Sequence, residues 1–198
     1  MLILFDQHQL MNTKTNDLML EMQGLIAIAY LPHGTMLLDP TRPDLPDGVT
    51  AIRSDCMKIS EKITSLKPDL ILLLTPHGIN ISDTFTIYQP GIENCVAHGT
   101  AKWNESWDDY QVEVELDESA SKDLYIHLRQ TIPEVHGMLA FGGLSTPLRW
   151  GEVVPLYFAL HDLKSRDSMN TASIKRLSIQ GRPKVVIIAH PSRGVTGR

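Results

Sequence analysis

A chain of 198 residues with 42% hydrophobic and 21% charged residues is sized for one domain, or one domain with a short extension, around a packed core. Its formal net charge of -5, with no Lys/Arg cluster and no RNA-binding aromatic pattern, argues against nucleic acid as a partner. The cysteines, Cys56 and Cys95, lie far apart, which argues against a disulfide framework or a thiolate zinc site and suits a reducing compartment.

The opening Met1-Leu-Ile-Leu-Phe5 is apolar but breaks off at Asp6. It has neither the basic start nor the roughly 7–15 apolar residues of a secretory signal. Nothing approaches the roughly 18 apolar residues of a membrane span. The expectation is a cytoplasmic protein with no membrane partner. Residues 1–23 are polar and methionine-rich without a clear period and read as an N-terminal extension, with His8 solvated. Residues 24–198 read as the folded domain.

Gly24 to Tyr30 is a short apolar run and predicts a strand, leading into Leu31-Pro32-His33-Gly34. Pro40, Pro43, Pro46 and Gly48 then exclude helix. From Val49 to Leu66, Ile52, Cys56, Ile59, Ile63 and Leu66 recur at spacings of three and four, which predicts a helix stopped by Lys67-Pro68. Asp69 to Leu74 predicts a second buried strand and runs into Thr75-Pro76-His77-Gly78. Strand, helix and strand together predict a crossover joining a parallel pair.

Ser82 to Tyr88 alternates like a strand, and Asn94 to Gly99 reads as its partner or as a loop. Gln111 to Leu116 alternates as a half-exposed strand. Asp117 to Ser121 supplies N-cap residues for a helix to about Gln130, ended by Pro133. His136 to Phe141 is another apolar run, Val153 to Leu160 fits a helix, and Lys184 to Ala189 predicts a last strand ending at His190-Pro191. The fold class expected is α/β in three layers: a mostly parallel central sheet with some antiparallel strands, flanked by helices.

In such sheets the ligand crevice lies beyond the carboxyl ends of the strands. Three predicted strands deliver a histidine there, and converging neutral imidazoles commonly hold a transition metal. His33 and His77 are the strongest metal-ligand pair, each set between Pro and Gly at a strand exit. His190 is placed as a third ligand or a general base. His136 opens its strand and is expected at the opposite edge, and His98 is an outlying candidate. His127 and His161 read as helix-face residues. Asp39, Asp83, Glu93 and Glu152 lie near the expected crevice without a spacing that commits any of them. Trp103, Trp107 and Tyr110 fit an aromatic pocket wall or simply core. Gly142-Gly143 is too short for a phosphate loop, and the chain has no nucleotide-binding glycine motif.

Pro32-His33-Gly34, Thr75-Pro76-His77-Gly78, Phe141-Gly-Gly143, the segment Leu148-Arg-Trp-Gly-Glu-Val-Val-Pro-Leu156 and the closing Val-Val-Ile-Ile-Ala189 together resemble the catalytic domain of the class III extradiol ring-cleavage dioxygenase superfamily. The likeness runs over about residues 24–193, in order. It implies a non-haem Fe(II) held by His33, His77 and a carboxylate, acting with O2 on a small catecholic aromatic. Two departures come with it. The family's Asp-His-Gly, whose histidine moves protons, is Arg149-Trp150-Gly151 here, and an indole accepts no proton near neutral pH. The family's carboxylate ligand lies beyond the last strand, in a C-terminal part expected to be missing from this chain. With His190 as a substitute, a three-imidazole site would suit zinc instead. The alternatives are therefore a catalytically impaired metal-binding or scaffold protein of the same fold, or a zinc hydrolase. A homo-oligomer is open on sequence alone.

Overall fold

The computed structural model describes residues 1–6, 24–79, 81, 84–91, 95–102, 109–140, 142–163, 170–171, 174–179 and 183–190. Among these residues, eleven strands carry the fold: β1 (Leu2–Phe5), β2 (Leu25–Ala29), β3 (Leu70–Thr75), β4 (Phe85–Gln89), β5 (Val96–Ala101), β6 (Asp109–Glu115), β7 (Val135–Leu139), β8 (Thr146–Leu148), β9 (Asn170–Thr171), β10 (Ile174–Ile179) and β11 (Lys184–Ala189). The helices are α1 (Val49–Leu66), α2 (Glu118–Thr131) and α3 (Trp150–Leu160), with 3-10 turns at Thr35–Leu37 and His161–Leu163. The class is α/β, with two mixed sheets. The first orders its strands β2-β1-β3-β11-β4-β7 and the second β8-β5-β6-β10-β9.

The first strand corrects the sequence reading. Leu2–Phe5, expected within an extension, is an interior strand, antiparallel to β2 on one side and β3 on the other. Leu2 and Leu4 are buried while Ile3 and Phe5 are less so, the period-two pattern of a strand whose two faces differ. The predicted crossover pair, β2 and β3, does run in one direction, but β1 lies between them, so they do not pair with each other. Of the segment read from Asn94 to Gly99, Val96 onward is in strand, as β5, yet it pairs β6 and β8 in the second sheet rather than β4.

Helix α1 spans the residues its apolar spacing predicts, with Cys56, Ser60 and Ile63 on the buried side. Lys67 ends it in the left-handed conformation at φ 49°, and Pro68 prevents its continuation. Helix α2 opens on Asp117, whose carboxylate accepts the Ala120 N–H at 2.9 Å. Asp117→Ala should cost about 1 kcal/mol in urea unfolding, because that N–H then has no partner at the helix start.

Helix α3 is apolar nearly all round, with every residue from Gly151 to Leu156 buried, which suits an element enclosed on all sides. It packs against α1 and against strands of both sheets. The main core gathers there: Leu2, Leu4, Ile71, Leu73, Val185 and Ile187 from the first sheet, Val112 and Val114 from the second, and Phe158 from α3. The other face of the first sheet carries Ile87, Val135 and Ile188 with Leu124 and Leu128 of α2.

Candidate functional site

The carboxyl ends of β2, β3 and β11 lie at one edge of the first sheet. Pairing puts Ala29 of β2 and Leu73 of β3 level with Leu2, and Thr75 level with Ala189 of β11. Beyond those ends, the loops bring His33 and His77 together with ring centres 4.4 Å apart and planes inclined by 52°. Trp150, the first residue of α3, completes the cluster: its indole stacks on His77 at 4.6 Å and sits 5.4 Å from His33. Trp150 remains 40% exposed, so the group opens to solvent.

Why these rings meet is legible in the backbone beneath them. Pro155 lies inside α3 and has no N–H to give to the carbonyl four residues earlier, that of Gly151. The Thr75 hydroxyl, at the end of β3, donates to that freed carbonyl at 2.9 Å in a buried bond. The His77 N–H donates in turn to the Thr75 hydroxyl oxygen at 3.3 Å. Gly151 then lies so close to His77 that an added Cβ would fall 2.5 Å from the His77 Cβ and 2.6 Å from its carbonyl oxygen. The absence of a side chain at 151 is what lets the helix start touch the histidine loop.

A second set of bonds lies just behind. The Tyr88 hydroxyl donates to Glu152 Oε1 at 2.5 Å and accepts the Ile79 N–H at 2.6 Å. Glu152 Oε2 accepts the Arg149 N–H at 2.8 Å, so the same carboxylate caps α3. Both side chains are fully buried. Burial lifts the Glu152 carboxyl above its ordinary range, with the bonds from Tyr88 and Arg149 pulling the other way. Burial, and then the Glu152 charge, pushes the Tyr88 phenol strongly upward.

His33 is held below the ordinary imidazole range, first by its partial burial and then by the neighbouring His77. A neutral ring is the form that binds a metal. With metal–nitrogen bonds of about 2.1 Å, two imidazoles on one ion place their ring centres from about 4.6 Å apart at a right angle to about 5.3 Å at a tetrahedral one. The 4.4 Å separation lies at the close end of that range. Glu152 does not join them as the third: it is buried behind the pair, its oxygens turned to the Tyr88 hydroxyl and the Arg149 N–H. Among the described residues, no three His, Cys, Asp or Glu side chains gather closely enough to hold an ion.

His190 stands at the same edge, its N–H bonded to the Thr75 carbonyl at 2.8 Å. Its ring packs edge-on against Phe85 at 5.1 Å, on the side away from Thr75 and Ala189, because successive side chains on a strand face opposite ways. It is therefore not part of the ring cluster formed by His33, His77 and Trp150. His136 corrects an expectation. Strand β4 runs antiparallel to β11 and β7 parallel to β4, so Thr75, Ala189, Thr86 and His136 form one cross-strand row. His136 thus lies at the histidine edge, exposed, and not at the far one.

His98 is on the second sheet, bonded through Nδ1 to the Ser145 hydroxyl at 2.6 Å, away from the pair. His127 is exposed on α2, and His161 bonds Asp162 at 3.0 Å. Asp39 is tied to Thr41 and Arg42, and Tyr110 is core. His8, Asp83, Glu93, Trp103 and Trp107 lie outside the described residues. An apolar hollow under α2, lined by Phe5, Leu70, Leu72, Ala120, Leu124 and Val186, belongs to the other face and the other end of β3. No described helix is long and apolar enough to cross a membrane. No family model matches the chain, and no curated protein matches it at a significant level.

Proposed function

We propose that this chain is a metal-dependent α/β protein of the extradiol dioxygenase kind, a three-layer fold in which His33 and His77 hold Fe(II). Its substrates on this reading are O2 and a small catecholic aromatic. The observation that supports it above all is the pair of imidazoles, delivered from two separate strand ends and 4.4 Å apart. Bound iron would supply the redox chemistry that joins dioxygen to an aromatic diol. The protein's own part is to keep the His33 ring neutral, to hold both rings in place and to offer the Trp150 face as a flat wall for a planar ligand. Glu152 and Tyr88 are buried and fully bonded, and the indole of Trp150 carries no transferable proton near neutral pH. His190, exposed beside Phe85 at the same edge of the sheet, is the residue assigned to moving one on this reading.

Protein loaded anaerobically with Fe(II) should consume O2 with at least one member of a catechol panel and yield a yellow ring-opened product. The double variant His33→Ala/His77→Ala should lose stoichiometric metal altogether, and unchanged metal content would refute the pair as ligands. Because His33 is shifted down, wild-type metal binding should persist somewhat below pH 6.5, the midpoint of a free imidazole, and weaken as the His33 ring protonates at lower pH.

Trp150 favours a second reading, a metal-binding protein that does not turn over. It stacks on His77 at the position where the dioxygenases that the chain resembles place a proton-transferring histidine. Stoichiometric metal without O2 uptake on any catechol would select this reading over the first.

A further inference from the structure

We propose that Tyr88 and Glu152 are a positioning pair, fixing His77 and Trp150 against each other so that the strength of the metal site depends on a carboxyl that never touches the ion. The inference rests on the reading of His33 and His77 as ligands, and goes beyond it by naming what sets their geometry.

A carboxyl fully withdrawn from water is costly unless its bonds are made. Capping α3 alone does not require that burial, since exposed carboxylates cap helices equally well. Here one carboxyl serves two segments. Through Oε2 it bonds Arg149, the residue before Trp150. Through Oε1 and the Tyr88 hydroxyl it reaches the N–H of Ile79, two residues beyond His77. Gly78, between them, is packed so tightly that an added Cβ would fall 2.3 Å from Glu152 Oε1 and 2.8 Å from the Tyr88 oxygen. The loop bearing His77 and the helix turn bearing Trp150 are thus two ends of one bonded unit. The chain Glu152–Tyr88–Ile79 can move neither end without breaking a bond to one of two buried side chains. Neighbouring groups that hold a ligand's ring in place characteristically influence metal affinity by 10–100-fold.

The test uses Co(II) titration followed by absorption, together with the NMR signals of the His77 ring, which Trp150 shifts by its ring current. Glu152→Ala should weaken Co(II) binding about 10–100-fold and move the His77 signals toward those of an unstacked imidazole. Glu152→Gln, which keeps an acceptor and a hydrogen-bonding partner, should restore most of both. Wild-type Co(II) affinity, or an unmoved His77 signal, in Glu152→Ala would overturn the proposal. Should that variant fail to fold, Tyr88→Phe cuts the same link at nearly constant volume and is judged by the same two readouts. If wild-type protein binds no Co(II), the ligand reading fails. The His77 signals alone then decide the positioning role: movement in either variant supports it, and no movement overturns it.

Discussion

Gly78→Ala should destabilise the protein by about 3 kcal/mol and separate the two imidazoles, while Gly34→Ala, at the matching place in the sister loop, should cost almost nothing. The contrast is steric. A Cβ at 78 meets three elements at once: Glu152 Oε1 at 2.3 Å, the Ala189 Cβ at 2.7 Å and the Tyr88 oxygen at 2.8 Å. None can retreat cheaply, because Ala189 is in an interior strand and the other two are bonded to each other. At 34 the nearest atoms belong to the flexible Met36 side chain at 3.8 Å, ordinary contact, and φ of -71° suits any residue. Urea midpoints of both variants, with metal content as a second readout, check the pair. Equal stability would mean that the close packing around Gly78 relaxes freely.

Phe158→Ala should cost about 3–5 kcal/mol, the range for emptying a buried aromatic site. Phe158 is fully buried on α3, which lies between α1 and both sheets. Its ring meets Tyr157 edge-on at 5.6 Å and lies 5.4 Å from the Arg53 guanidinium. Arg53 is itself bonded to the carbonyls of Leu37 and Leu38, in the turn that follows His33. The cavity would therefore loosen the His33 side of the site as well as the core. A loss below about 1 kcal/mol in urea unfolding would show that neighbouring side chains collapse into the space.

Much of this was legible in residue order. Helical spacing gave α1 its limits, and Asp117 marked the start of α2. Three apolar runs ending in histidine pointed to His33 and His77, which do converge. What local pattern does not carry is strand direction. Nothing in Phe85–Gln89 states that it runs against β11, and on that hinges the edge to which His136 belongs. Met1–Phe5 is too short for its periodicity to distinguish a strand from a frayed end, and only the exposed flanks of β2 and β3 give it a place. The two Pro-His-Gly triplets look equivalent as text, yet only one glycine is required by packing. Glu152 stood among several carboxylates near the crevice, and no spacing could show that its oxygens are already taken. The Gly-x-x-x-Pro spacing of Gly151 and Pro155 did hold a signal. A proline in a helix frees the carbonyl four residues back, so a hydroxyl such as that of Thr75 was to be expected nearby.

Strand β11 also bears on how the molecule is made. It lies between β3 and β4, which are synthesised about a hundred residues before it. Until it leaves the ribosome, both carry open hydrogen-bonding edges, and the nascent sheet exists as two unjoined halves. The His77 loop hangs from one of those edges, so its environment can be completed only after β11 has emerged. Until then, chaperones would be met by a half-built sheet in which β3 and β4 each offer one open edge.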